Sequence, residues 1–455
     1  MNGLMIGISG VRGIVGQSLT PDLLSRLGQA FATFLSSKPV VVGRDTRVSG
    51  EMVKHSVFSG LLAAGSAVID IGMVSTPTLA LAVEEEKADG GIMISASHNP
   101  VEWNALKFFR SDGIYLNERE MRLFLDVYYQ GDFHRAGWDG IREVRFAEGA
   151  TQRHIQRVLD LVDVQAVRKR GFRVTLDCCN GAGIEGASIL LDALGCAVDR
   201  IHCEPNGLFP HNPEPTFDNL QDLIVRTKKN ASDIGFAQDP DADRLAIVDD
   251  TGRFIGEEYT LALAVDYILG HREKASPVVI NLSTSRAIED LAQRHGVSVV
   301  RVPVGEVNVA EAMMELNSPI GGEGNGGVIY PPCHYGRDSF IAMALTLELL
   351  TAEQKPLSAV VAALPRYSIK KEKVHCPRRM AFDVIQDIRA AVAGEGDIDA
   401  SDGLRVAWSD RWVHMRSSNT EPVLRIIAEA PGAADAAELV ARFSGMVKEK
   451  VRGRA

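Results

Sequence analysis

Several things are missing from these 455 residues, and each absence removes a class of function. No apolar run reaches the roughly 18 residues that a membrane span needs, so no membrane partner is expected. No block of Lys and Arg stands out in a chain of formal net charge -10, so no nucleic-acid partner is expected either. The cysteines Cys178, Cys179, Cys196, Cys203, Cys333 and Cys376 show no Cys-x-x-Cys spacing, and no secretory leader precedes them. Reduced thiols in a cytoplasmic protein are therefore the expectation. No Walker-type loop appears, which argues against a nucleotide cradle.

What is present is ordinary globular composition, 45% apolar and 24% charged, in a chain too long for one core. Apolar β-branched runs alternate with helical patterns, which implies α/β units with buried sheets. One order of elements recurs three times. Residues 39–43 (PVVVG), 173–178 (RVTLDC) and 277–282 (PVVINL) each lead to a helix, which ends near Gly65, Gly195 and Gly296 respectively. A glycine at that point suits a left-handed helix cap. A second strand and a third short apolar run follow in each unit, and the third run ends in a loop. These loops carry Ser97, Asp239 and Glu323. Ligand sites of open α/β sheets lie at the carboxyl ends of strands, so three equivalent loops can serve one cleft. Beyond about Lys370 the pattern becomes a small α+β domain, with a helix over 433–450. Residues 205–215 (PNGLFPHNPEP) read as loop. The expected domains are 1–145, 146–254, 255–367 and 368–455.

Four segments carry chemistry. Ser95-Ala96-Ser97-His98-Asn99-Pro100 places a hydroxyl in a turn, with His98 and Lys107 near enough in sequence to move its proton. Read alone, it is also an ordinary Ser/Asn turn. Asp239-Pro240-Asp241-Ala242-Asp243-Arg244 places three carboxylates on one side of an extended loop, a hard-oxygen set suited to Mg²⁺. Arg244 would neutralise phosphate charge beside the metal. An EF-hand fails here, because its sixth position must be Gly and is Arg244, and strand-like segments flank the loop. Gly321–Gly327 offers Glu323 and Asn325 to sugar hydroxyls. Finally, Arg416, Ser418, Asn419, Thr420 and Arg425 form an Arg/Ser/Asn/Thr turn that suits a phosphate group. Arg12 sits on a glycine-flanked turn near the N-terminus.

This combination resembles the α-D-phosphohexomutase superfamily over essentially the whole chain. The resemblance implies a fold of three similar α/β domains with mixed sheets, plus a smaller C-terminal α+β domain, around a central cleft. It also implies that Ser97 carries a phosphoryl group, that Ser97 with Asp239, Asp241 and Asp243 holds Mg²⁺, and that Arg12, His98 and Lys107 serve catalysis. The substrate would be a hexose phosphate, interconverted between its 6- and 1-phosphates through a hexose 1,6-bisphosphate that also acts as activator. The protein would be a monomer or homodimer.

Two departures from the family pattern bear on the sugar. The sugar loop commonly reads Gly-Glu-x-Ser-Gly-His, whereas here Asn325 and Gly327 replace Ser and His. The preceding loop, Val302–Glu306, lacks the Lys and His often seen in phosphomannomutase/phosphoglucomutase enzymes. Glucosamine phosphate is therefore the expected substrate. Broad glucose and mannose phosphate specificity, a phosphatase and a non-catalytic sugar-phosphate sensor are the alternatives.

Overall fold

Val40–Arg44, Gly90–Ile94, Ile234–Gln238 and Leu245–Asp249 are strands buried almost throughout, as parallel and mixed sheets covered on both faces require. The computed structural model of the chain describes residues 3–7, 10–272, 276–418 and 422–454. They fall into two units, Met1–Tyr267 with Asn325–Ala362, and Ile268–Gly324 with Ala363–Ala455.

In the first unit a seven-stranded sheet runs in the order Met5–Gly7, Gly10–Ile14, Trp103–Arg110, Gly90–Ile94, Val40–Arg44, Val68–Met73, Val144–Phe146. Pairing is antiparallel as far as Gly90–Ile94 and parallel beyond it. The chain leaving Val68–Met73 crosses by the helix Thr76–Glu85 and adds Gly90–Ile94 on the other side of Val40–Arg44. That crossing puts two loops, 45–49 and 95–102, at the carboxyl ends of neighbouring strands, where Ser97 sits. Helices Pro21–Phe34 and Gly50–Ala63 pack so closely that a Cβ at Gly28 would lie 2.7 Å from Val57 O. A second sheet in this unit runs Leu245–Asp249, Ile234–Gln238, Arg173–Asp177, Ala197–Ile201. The apolar helix Ser339–Glu353 packs against helices Ala150–Leu159, Val164–Arg170 and Ile184–Ala193.

The second unit holds the parallel strands Val299–Val302, Val278–Asn281 and Gly321–Glu323. It also holds an antiparallel sheet in the order Ser368–His375, Val423–Ala430, Trp412–Ser417, Leu404–Ala407, Asp397–Asp399. Helices Arg378–Ala391 and Ala433–Arg452 cover one face of it, over a core that includes Val384, Ile388, Ile426 and Phe443.

The repeated strand–helix–strand unit is present three times. Gly65, Gly195 and Gly296 take φ of 80°, 69° and 72°, as the helix-cap reading expects. Three features differ from the expectation. The N-terminal hairpin and the helix Arg378–Ala391 carry no signal that the sequence reading uses. The aspartate loop is not extended: it is a tight turn joining antiparallel strands, closed by the pair Gln238 and Leu245, with Ala242 at φ 56°. Its carboxylates converge because the chain doubles back, not because alternate residues share a face. Among the described residues no helix is long and apolar enough to cross a membrane.

Candidate active site

Ser97 adopts φ 48°, a left-handed conformation that costs a residue with a Cβ about 1–3 kcal/mol. Neighbouring groups hold it there. Ser97 N donates to Ser95 Oγ at 3.0 Å, and Ser95 Oγ donates to Asp45 Oδ2 at 2.7 Å. The buried Arg47 donates to the carbonyls of Ser97, Asn99, Pro100 and Trp103 at 2.7–3.0 Å. Its Nε lies 3.1 Å from Asp45 Oδ2. The loop is thus fastened through its backbone, which leaves the Ser97 hydroxyl free to face the aspartates. Ser97 Oγ donates to Asp239 Oδ2 at 2.6 Å, and His98 Nδ1 lies 3.3 Å from Ser97 Oγ. Burial, with the charges of Arg244 and Arg12, pushes the His98 imidazole well below its usual pKa, so the ring is neutral at neutral pH. Arg12 Nη1 donates to Asn99 Oδ1 at 3.0 Å, on the same loop.

Asp239, Asp241 and Asp243 are fully buried, and ligand oxygens of the three lie within 4.8 Å of one another. Lys107 Nζ and Thr76 Oγ1 each reach Asp241 Oδ2 at 2.5 Å. Lys107 Nζ also lies 3.4 Å from Tyr115 Oη. Arg337 Nη2 donates to Asp243 Oδ2 at 2.6 Å, and Arg244 N donates to Asp239 Oδ1 at 3.2 Å. Arg244 Nε is 3.7 Å from Asp243 Oδ1. Two oxygens, Asp241 Oδ1 and Asp243 Oδ1, are buried with no hydrogen-bond partner among the described residues. A buried carboxylate oxygen left without a donor is costly, so this arrangement calls for a cation. An all-oxygen donor set of this size fits a hard divalent ion such as Mg²⁺. Burial and the charges of Asp243 and Asp241 push the Asp239 carboxyl well above its usual range. Burial acts on Asp241 too, but Lys107 outweighs it and holds that carboxyl low.

Asp45, Arg47, Thr76, Ser95 and Arg337 contribute although the sequence reading does not single them out. The available signal was position. Asp45–Arg47 follows the strand Val40–Arg44, and Gly336–Asp338 leads into the helix Ser339–Glu353. Asp338 caps that helix by accepting from Phe340 N at 2.8 Å. Its other oxygen faces His154 Nε2 at 2.9 Å and His334 Nε2 at 3.3 Å. His154 Nδ1 in turn lies 2.9 Å from Thr78 Oγ1, two residues from Thr76. One hydrogen-bonded chain thereby ties the segment carrying Arg337 to the helix carrying Thr76.

Asn325 belongs to this first unit, and its Oδ1 is buried without a partner. In the second unit Glu323 Oε1 accepts from Asn281 Nδ2 at 2.8 Å and from Gly305 N at 3.2 Å. Arg416 Nε lies 3.3 Å from Asp402 Oδ2, and Ser418 N donates to Val423 O at 3.0 Å. Arg416 pairs with Arg425 across neighbouring strands, and Arg425 with Lys373 on the next, so three cations stand in a row on the face away from the core. Lys373 is an addition to the predicted set. Asn419 and Thr420 lie outside the described residues.

All four domain models of the phosphoglucomutase/phosphomannomutase family match this chain: alpha/beta/alpha domain I over residues 3–133, domain II over 152–252, domain III over 257–367 and the C-terminal domain over 372–446. The chain belongs to this family. A phosphoglucomutase/phosphomannomutase of Thermococcus kodakarensis is 39% identical, over 99% of this chain and 100% of that protein. A protein of Methanopyrus kandleri named "probable phosphoglucosamine mutase" is also 39% identical, over 99% of both. A crystal structure of a phosphoglucomutase/phosphomannomutase family protein from Burkholderia thailandensis superposes with a TM-score of 0.85 at 27% identity, covering 98% of each chain.

Within this family the departure at Gly327 has a structural counterpart. A Cβ at Gly327 would collide with the Arg337 side chain, its Cγ at 2.9 Å, and would come within 3.1 Å of Asn325 Oδ1. The missing side chain is what lets Arg337 pass to Asp243.

Proposed function

We propose that this phosphohexomutase interconverts glucosamine 6-phosphate and glucosamine 1-phosphate through a phosphorylated Ser97. The observation that carries the reading is the Ser97 hydroxyl, held 2.6 Å from Asp239 in a cluster where two buried carboxylate oxygens lack a hydrogen-bond partner among the described residues. Phospho-Ser97 gives its phosphoryl group to the free hydroxyl of the hexose monophosphate: the Ser97 Oγ–P bond breaks and a sugar O–P bond forms. The resulting 1,6-bisphosphate turns end for end, and its other phosphate returns to Ser97 Oγ. The same bisphosphate, added in catalytic amount, recharges enzyme that has lost its phosphate.

Asp239, Asp241 and Asp243, with an oxygen of phospho-Ser97, would hold Mg²⁺. Such an ion neutralises charge on the transferring phosphoryl group. The protein's own groups do the rest. Arg47 and Asp45 fix the serine loop, and His98 Nδ1 is placed to take or return a proton at Ser97 Oγ. Lys107, bonded to Asp241, and Arg12, bonded to Asn99, keep positive charge beside the reacting serine. Arg244 assists them at the aspartate turn. Arg416, Ser418, Asn419, Thr420 and Arg425, with Lys373 beside them, bind the phosphate that is not reacting.

Two arguments favour the amino sugar. Asn325 Oδ1 is a buried acceptor without a donor, and the sugar ammonium is a strong donor. Relatives named for glucosamine phosphate span the whole chain. The relative named for glucose and mannose phosphates is as similar, so broad specificity is the second reading. The deciding assay compares kcat/KM for glucosamine 6-phosphate, mannose 1-phosphate and glucose 1-phosphate, with Mg²⁺ and catalytic hexose 1,6-bisphosphate. A clear preference for the amino sugar is expected. Equal or better turnover of the neutral sugars would replace the first reading by the second. A Ser97→Ala variant that still interconverts any of them would remove the covalent scheme altogether.

A further inference from the structure

The proline-rich loop between His202 and Thr216 has no role in the chemistry above, yet it covers a residue that does. The Phe209 ring lies 4.8 Å from Arg47 Cζ, and Gly207, at φ 70°, packs where a Cβ would meet Arg47 Cα at 2.9 Å. Asn180 fastens the loop by donating to Leu208 O at 2.8 Å and accepting from Glu204 N at 2.9 Å. At its base stand three potential ligands: Asp177 at the end of the strand Arg173–Asp177, His202 just past the neighbouring strand Ala197–Ile201, and His211 in the loop itself.

The three groups need positive charge among them, which either protonated imidazoles or one metal ion supplies. His211 Nδ1 lies 2.9 Å from Asn212 O, a carbonyl that only accepts, so Nδ1 carries a hydrogen. In a neutral ring Nε2 then presents its lone pair to Asp177 Oδ2, 3.2 Å away. Lone pair facing carboxylate is repulsive, so the ring is either an imidazolium that donates Nε2–H to Asp177 or a ligand with a metal ion between the two atoms. His202 Nδ1 lies 2.8 Å from the same Asp177 oxygen, and its Nε2 faces the exposed Asp222 Oδ2 at 3.4 Å. Asp177 Oδ1 is already turned away, accepting from Cys179 N at 2.8 Å. Each imidazole thus has its outer nitrogen against an oxygen acceptor and its inner nitrogen on one carboxylate oxygen. Outer acceptors of this kind orient metal-bound histidines.

We propose that Asp177, His202 and His211 bind one divalent transition-metal ion of the zinc class, separate from the aspartate cluster, which locks the 202–216 loop over Arg47. Its ligands are Asp177 Oδ2, His202 Nδ1 and His211 Nε2. A fourth position is open to water, since both histidine side chains are only partly buried, at 20% and 15% exposure. Bonds of about 2.0–2.2 Å in a tetrahedron put ligands about 3.3 Å apart, so the 3.2 Å edge already fits and the 2.8 Å edge opens by about 0.5 Å. Two imidazoles with one carboxylate favour zinc-class ions, whereas the all-oxygen aspartate set favours Mg²⁺, so the two sites sort their ions by chemistry. The assignment does not depend on which sugar is the substrate.

The test uses the full chain stripped with EDTA, then titrated with Co²⁺ in saturating Mg²⁺ so that the aspartate site is occupied. One Co²⁺ per chain is expected, with the visible absorption of a tetrahedral nitrogen–oxygen site, displaced by Zn²⁺ and accompanied by a rise in Tm. His211→Ala and the milder His211→Gln lose that absorption, and Asp243→Asn keeps it. Wild-type protein that binds no Co²⁺ under these conditions overturns the proposal, whatever the variants do. So does a spectrum that survives in both His211 variants, or one that disappears in Asp243→Asn.

Discussion

Replacing Lys107 by Met tests whether the aspartate cluster is held together by charge. Lys107 is 3% exposed and Asp241 is fully buried, with Nζ and Oδ2 2.5 Å apart and Asp243 Oδ2 at 3.9 Å. Methionine keeps most of the side-chain volume, so the perturbation is almost purely the lost ammonium. Among the described residues Thr76 would remain as the donor to Asp241 Oδ2, in a cluster where Asp241 Oδ1 has none. Breaking a buried ion pair from one side costs about 3–5 kcal/mol, against under about 1 kcal/mol for an exposed pair. Urea unfolding in EDTA should therefore show a loss of several kcal/mol. In saturating Mg²⁺ the ion supplies the missing positive charge, so the gap between variant and wild type should shrink. Mutase activity should stay low in both conditions, because an ion on the aspartates does not restore the ammonium beside the serine. A loss below about 1 kcal/mol in EDTA, or a gap that does not respond to Mg²⁺, would refute the electrostatic account.

Two further outcomes follow from buried histidines in different units. His154→Ala removes a ring that touches both Asp338 and Thr78 and leaves a cavity at a fully buried site, at a cost of about 2–4 kcal/mol. Because Asp338 adjoins Arg337, the half-saturating Mg²⁺ concentration for activity should rise as well. A variant as stable as wild type would show that the network is incidental. In the second unit, burial lowers the His414 pKa from its usual 6.5 to about 4, and the neutral ring faces Asp402 O at 2.7 Å and Ser283 Oγ at 2.8 Å. Between those values only the unfolded chain binds the proton. The stabilisation is complete above pH 6.5 and drains away as pH falls through 4, by up to about 3 kcal/mol. Urea unfolding between pH 7 and pH 4.5 should be less pH-dependent in His414→Gln, and identical slopes would contradict the assignment.

Ser97 and the three aspartates were legible because each lies in a short segment whose chemistry has few other uses. A hydroxyl before His-Asn-Pro and three alternating carboxylates announce themselves locally, and the strand-end rule places their loops. The partners that make them work were not legible, for a physical reason. Thr76 and Asp241 are separated by 165 residues, and Arg337 and Asp243 by 94. Spacing in the chain carries no information about such contacts. Arg47 in particular carries no local signal, yet it is 1% exposed and bonds the carbonyls of Ser97, Asn99 and Pro100 in the serine loop and of Trp103 just after it. Local pattern also misjudged the aspartate loop, since alternation suggests an extended segment, whereas the hairpin register forces a turn.

The same limit governs how Gly327 should be weighed. Read along the chain, glycine in place of the family's histidine is a lost contact to the sugar. In space it is a vacancy that another residue fills, because the Arg337 side chain runs through the volume a Cβ would need and ends on Asp243. Arg337 then contributes a buried positive charge to a cluster rich in carboxylates, and Asn325 Oδ1 is buried with no donor among the described residues. The two replacements in the sugar loop, at Asn325 and Gly327, are therefore one change: a cation is packed against Gly327 beside a neutral acceptor. In the proposed function, the preference for an amino sugar, rather than the reaction itself, rests on these positions.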